Sequence, residues 1–154
     1  MKKRDLITDR PLSKDEEATL KKLQEENPLY TCKCIIIKDK PHYIRNIGFV
    51  EYKNIMQEVN KKRLEQEAKL AELRRKYKDD EDNPDLYKEY AQIPPFQEAD
   101  ELINLFVKTG LLGPNNIISQ FEAGALSPMV LMILYEEIFN ISMLEDNDVE
   151  IEEE

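Results

Sequence analysis

The sequence predicts an α+β fold in which a short N-terminal β-hairpin packs on a C-terminal helical unit, with a long charged central helix and a disordered acidic tail. Three observations carry that prediction. Apolar periodicity changes from about two residues to about 3.6 at Gly48. A dense apolar stretch over residues 117–143 (IISQFEAGALSPMVLMILYEEIFNISM) runs straight into residues 144–154, which hold seven carboxylates and no positive charge. Between these regions lies KKRLEQEAKLAELRRKYK, helical by propensity yet mostly charged. The 154 residues divide accordingly into a flexible lead over 1–12, a single α+β domain over 13–143 with a charged helical insertion at 60–95, and the acidic tail.

Taken in order, Ser13-Lys14-Asp15-Glu16 has the capping-box form and opens a short helix to about Gln24, which Asn27-Pro28 stops. Tyr30–Ile37 (YTCKCIII) is β-branched and aromatic. Lys38-Asp39-Lys40-Pro41 reads as a turn, and His42–Ile47 returns as the second strand. Alternation puts Cys32, Cys34 and Ile36 on one face, with Ile35 and Ile37 on the other. A two-stranded ribbon is marginal alone and needs helices or further strands. From Glu51, Tyr52, Ile55, Met56 and Val59 share one helix face. The stripe breaks after Asn60 and resumes thinly at Leu70, Leu73 and Tyr77, so the second half of a helix over 51–77 is expected to project into solvent.

Asp79 to Pro84 ends that helix, and Asp85–Ala91 suggests a helical turn before the Pro94-Pro95 breaker. Phe96–Thr109 is amphipathic, with Leu102, Leu105 and Phe106 inward and Gly110 as the C-terminal cap. Gly113-Pro114 turns the chain into a short helix over 116–123, ended by Gly124. Ser127 then caps a last helix, with Pro128 in its first position, that runs to about Asn140 and is apolar on nearly every side.

Composition narrows the function. The charged fraction is 35%, above the usual ~25%, so some segments stay solvated. Net charge is −10, of which the tail supplies −7, leaving only −3 elsewhere. The acidity is therefore local; a solvated end is its ordinary reading, nucleic-acid mimicry the rarer one. Residues 61–78 carry eight positive and three negative charges. Glu65–Lys69 and Glu72–Lys76 pairs on an exposed helix explain them better than contact with RNA or DNA. Two cysteines, Cys32 and Cys34, sit one residue apart, where a disulfide would be strained, which fits a reducing compartment. MKKRDLITDR lacks an apolar segment behind it and is not a signal peptide. The longest apolar run, Met129–Leu134, is far short of the ~20 residues that span a bilayer.

No constellation in the sequence carries chemistry. Cys32, Cys34 and His42 are its soft metal ligands, three of a zinc set that Asp39 or a second subunit would have to complete, and buried strand cysteines are the plainer reading. His42 has no nucleophile in a suitable context, and with four glycines no phosphate-cradling loop is present. The expectation is a non-enzymatic protein with no metal and no cofactor. Partner binding is expected on the apolar C-terminal region at Ile117, Phe121, Met129, Leu131, Met132 and Tyr135, where methionine and aromatic side chains adapt to helical clients.

The order of these pieces resembles the tail assembly chaperones of tailed bacteriophages, small proteins encoded beside the tape-measure protein. The features are Tyr43-Ile44-Arg45-Asn46-Ile47-Gly48-Phe49-Val50-Glu51-Tyr52, then Leu102 to Pro114, then Glu122-Ala123-Gly124 before Ser127-Pro128-Met129-Val130-Leu131. The likeness covers about residues 27–142. It implies a chaperone in the host cell cytoplasm that keeps the apolar, helical tape-measure protein, or another phage structural protein, soluble until tube subunits displace it. Homo-oligomers are compatible, and neither nucleic acid nor membrane is implied. Two other classes stay open: a structural virion adaptor or capsid-associated protein, and a regulatory protein acting on a host factor.

Overall fold

The computed structural model describes the backbone over residues 3–153 and the side chains over 5–143. The chain forms two compact units, Met1–Tyr52 with Ile103–Glu154, and Lys53–Leu102. The insertion expected at 60–95 falls within the second of them.

The first unit is built on an antiparallel sheet in the order β1-β2-β3, with β1 at Cys32–Ile37, β2 at Lys40–Arg45 and β3 at Leu111–Gly113. The hairpin pairs Cys32 with Arg45 and Ile37 with Lys40. Its two-residue connection, Lys38-Asp39, has φ of 51° and 62°, the doubly left-handed turn that matches strand twist. β3 corrects the two-stranded expectation: Ile44 pairs with Leu111 and Tyr43 with Gly113, across a register shift between Tyr43 and Ile44. The third strand supplies what an isolated ribbon lacks.

Helix α1 (Lys3–Leu6) and the residues behind it lie where the sequence suggests a flexible lead. Leu6 is buried, Ile7 bridges Ile37, and the Lys38 N–H donates to the Leu6 carbonyl at 2.8 Å. Thr8 accepts from the Asp39 N–H, and Arg10 ion-pairs with both Asp39 (2.7 Å) and Glu16 (2.8 Å). Met1 and Lys2 lie outside the described residues. Helix α2 (Lys14–Glu26) has the reciprocal capping box at Ser13 and Glu16 that the sequence announced. It packs on β1, and the last helix, α7 (Pro128–Glu153), packs on β2. Ile35, Ile36 and Ile37 are consecutive and all buried, so both sheet faces are covered there.

Helix α7 (Pro128–Glu153) continues through the segment expected to be a disordered tail. The backbone of 144–153 extends the helix that Val130, Ile133, Leu134 and Ile138 anchor in the core; Glu154 is outside the described residues. An anchored helix propagates at one hydrogen bond per residue once nucleated, which the charge content alone does not reveal.

In the second unit, helix α3 (Phe49–Lys76) extends from its first turns with Ile55 and Val59 buried. The expected free projection is corrected here. Lys62, Gln66, Leu70, Leu73 and Tyr77 continue a half-buried stripe at helical spacing, because long polar side chains cover surface with their stems. Lys62 pairs with Glu101 at 2.7 Å, and the Gln66 amide donates to the Pro94 carbonyl. Lys76 pairs with Glu89 of α4 at 2.9 Å instead of with Glu72. Helix α4 (Pro84–Gln92) is capped by Asn83 and buries Leu86.

Candidate partner-binding surface

Helix α5 (Glu98–Gly110) places Phe106, 2% exposed, at the centre of an aromatic cluster in the first unit. Tyr135 meets its ring edge-on at 5.3 Å, Tyr52 at 6.3 Å, and Phe139 lies tilted at 6.4 Å. These spacings are those of mutually attractive rings. The cluster opens to solvent on one side. There Ile47, Phe49, Tyr52, Phe106, Ser142 and Met143 line a cleft of about 250 Å³.

Local sequence dictates this geometry. Glu51 accepts the Gly48 N–H at 3.2 Å and forms a two-pronged ion pair with Arg45, both contacts at 2.8 Å. Arg45 in turn stacks 4.0 Å above the Tyr30 ring, and its charge holds the Glu51 carboxyl below its ordinary range. That clamp fixes the start of α3, so Phe49 and Val50 stand outward, 80% and 66% exposed. At the other side of the cleft, the Ser142 hydroxyl accepts from the Ile47 N–H and donates to the Ile138 carbonyl, each at 2.8 Å. Both its hydrogen-bonding roles are spent on the backbone, and the cleft offers a partner chiefly apolar and aromatic surface.

Phe49, Val50, Tyr52 and Phe139 are large apolar side chains left exposed, and exposed apolar patches mark interaction surfaces. Leaving one large apolar side chain in water forgoes about 1.5–3 kcal/mol of burial. The patch therefore offers a partner a substantial favourable term.

The residues expected from sequence divide unevenly. Ile117, on helix α6 (Asn115–Glu122), is buried core. Phe121, Met129, Leu131 and Met132 are half-buried and not among the residues that line the cleft. Tyr135 alone joins the aromatic cluster. Phe49, Val50, Tyr52, Phe106, Phe139 and Met143 are not among the residues expected from sequence. Their signal was present in part, since Phe49 and Tyr52 stand three apart at the start of a helix whose buried stripe runs through Ile55 and Val59.

The remaining polar candidates stay apart. Cys34 pairs with Tyr43 and His42 with Ile35, so the thiols and the imidazole leave opposite faces of the ribbon. Among the described residues no group of three or more His, Cys, Asp or Glu side chains is placed to hold a metal ion. Burial pushes the His42 pKa down, and its Nδ1 lies 2.9 Å from the Lys40 carbonyl. Among the described residues no helix is long and apolar enough to cross a membrane. No protein-family model, curated protein or solved structure matches the chain. The functional reading therefore rests on the geometry of the cleft and on the order of features in the sequence.

Proposed function

We propose that the protein is a non-enzymatic assembly chaperone that shields apolar helical segments of a client through the cleft lined by Phe49, Tyr52 and Met143. In line with its resemblance to phage tail assembly chaperones, the client is the tape-measure protein, held in the host cell cytoplasm before the tail tube polymerises. The observation that carries this reading is the open aromatic cleft. A groove floored by an aromatic ring and rimmed by exposed apolar side chains suits the apolar stripe of a helix. Release by tube subunits requires reversible binding, and a single cleft of this size falls short of the extended apolar area that obligate interfaces use.

Co-expression with the tape-measure protein tests the proposal, with Phe49→Glu as the variant. Phe49 is so exposed that its replacement leaves the fold intact, unlike changes at Ile117 or Met132. Capture of the client is expected to fall at least about tenfold, as when an interface anchor is lost. Full capture by Phe49→Glu refutes the cleft as the binding surface. Capture that survives that change but disappears when 144–154 is removed makes the acidic segment the recognition element and favours regulation of a host factor.

A further inference from the structure

We propose that the first unit holds a second site, a cavity beside the hairpin turn that binds a small aromatic hydroxy acid, its hydroxyl on His42 and its carboxylate at Lys38 and Lys40. The cavity shares no lining residue with the aromatic cleft, so this site is independent of the client proposed there. It measures about 270 Å³. Its floor is buried: Ile37 and His42 of the hairpin, Ile117 of α6 and Val130 of α7 are each at most 7% exposed. Its rim is exposed and carries Lys38 and Lys40 from the hairpin, with Gln120 and Ser127 from the helical side. Among the described residues no carboxylate lines it.

His42 sets the chemistry of the inner end. Its Nδ1 lies 2.9 Å from the Lys40 carbonyl, and because a carbonyl can only accept, Nδ1 carries the proton. Burial lowers the pKa of the ring, which keeps it neutral at about pH 7.5. Nε2 is then a lone-pair acceptor, and among the described residues nothing donates to it. A buried ring with one nitrogen bonded and the other unused calls for a donor in the space beside it.

Charge sets the outer end. Asp39, between the two lysines in sequence, is engaged by Arg10 at 2.7 Å. Among the described residues neither Lys38 nor Lys40 forms an ion pair. Ser127 marks the start of α7, where its Oγ accepts the Val130 N–H at 3.3 Å, and the positive end of that helix adds to the same mouth. An acceptor inside, apolar walls and unneutralised positive charge outside select a ligand with a hydroxyl at one end, a carboxylate at the other and an apolar body between. A cavity near 150 Å³ accepts a benzene ring, so this one has room for a ring with both substituents.

The chain has one histidine, so proton–nitrogen correlation NMR of the full chain reads this site directly, with para-hydroxybenzoate as the probe. The free protein is expected to show Nδ1 protonated and Nε2 bare. The probe should shift the Nε2 signal saturably, with a dissociation constant of about 0.1–1 mM, ordinary for a ligand of about ten heavy atoms. Benzoate lacks the hydroxyl and phenol lacks the carboxylate; each should bind at least about fivefold more weakly. Lys38→Gln combined with Lys40→Gln, both at exposed positions, should weaken para-hydroxybenzoate about tenfold and leave phenol unchanged. His42→Phe keeps a ring of similar bulk and should make benzoate and para-hydroxybenzoate bind alike; if that variant does not fold, the lysine variant and the probe series still decide. A proton on Nε2 in the free protein overturns the proposal, as does the absence of a saturable shift up to about 10 mM probe. Equal binding of phenol and para-hydroxybenzoate, or binding that the lysine changes leave intact, overturns it as well. None of these outcomes alters capture of the client by the aromatic cleft.

Discussion

Gly110→Ala is expected to destabilise the first unit for a reason specific to its place in the fold. An added Cβ would sit 2.9 Å from Ile138 Cδ1, 3.0 Å from Ile138 Cγ2 and 3.0 Å from the Arg45 carbonyl oxygen. The carbonyl belongs to β2, and Ile138 is 0% exposed, so neither neighbour has free space to move into. Overpacking of this kind costs about 1–3 kcal/mol. Alanine in place of glycine near a helix end recovers up to about 1 kcal/mol, leaving a net loss of about 1–2 kcal/mol. For a chain of this size that corresponds to a midpoint lower by about 2–8 °C. Urea unfolding followed by circular dichroism measures the loss, and a double-mutant cycle assigns it. Ile138→Val alone should cost about 0.5–1.5 kcal/mol. In the Gly110→Ala background it removes the clashing Cδ1, and its cost should shrink by about 0.5–1 kcal/mol. A stabilised Gly110→Ala, or strict additivity in the cycle, would refute close approach as the reason for this glycine.

Three further outcomes follow from other contacts. Ser142→Ala leaves the Ile47 N–H without its partner and should cost about 1–3 kcal/mol by urea unfolding; a change within the error of the measurement would contradict the bond. Arg10 and the Ser13 backbone lower the Glu16 pKa to about 2. A depressed carboxyl adds stability above its unfolded value near 4.5 and loses it as the pH falls through about 2. Arg10→Ala should therefore flatten acid unfolding between about pH 4.5 and 2, and an unchanged profile would argue against the pair. Burial is the main cause raising the Cys32 and Cys34 pKa values, so at pH 8 iodoacetamide should label both more slowly than it labels glutathione; equal rates would contradict their shielding.

The parts of the fold legible in the sequence are those with a local signal. The Ser13 capping box, the Lys38-Asp39 turn and the Ser127-Pro128 helix start each depend on a few adjacent residues. β3 was illegible because three residues, Leu111–Gly113, are too few to show a period, and Gly113-Pro114 reads equally well as a turn. The stripe of α3 was lost because Lys62 and Gln66 pack through their methylenes, which a hydropathy pattern scores as polar. Gly110 was read as a helix cap; among the described glycines the one with positive φ is Gly124, at 70°. Apolar density marks the core and the surface alike. Ile117 lies in the richest apolar region and is buried, whereas Phe49 stands beside the Arg45–Glu51 clamp, whose geometry only the fold reveals.

The first unit is discontinuous in the chain, and this orders events during synthesis. β1 and β2 are made before the whole of the inserted unit, whereas β3 and α7 come after it. At about 5–20 residues per second, the free edge of β2 waits several seconds for its neighbouring strand. The inserted unit, contiguous from Lys53 to Leu102, has all its own residues available earlier. Translation therefore allows the later-encoded unit to fold first, and the nascent hairpin spends that interval with the Ile44 side of its ladder unpaired.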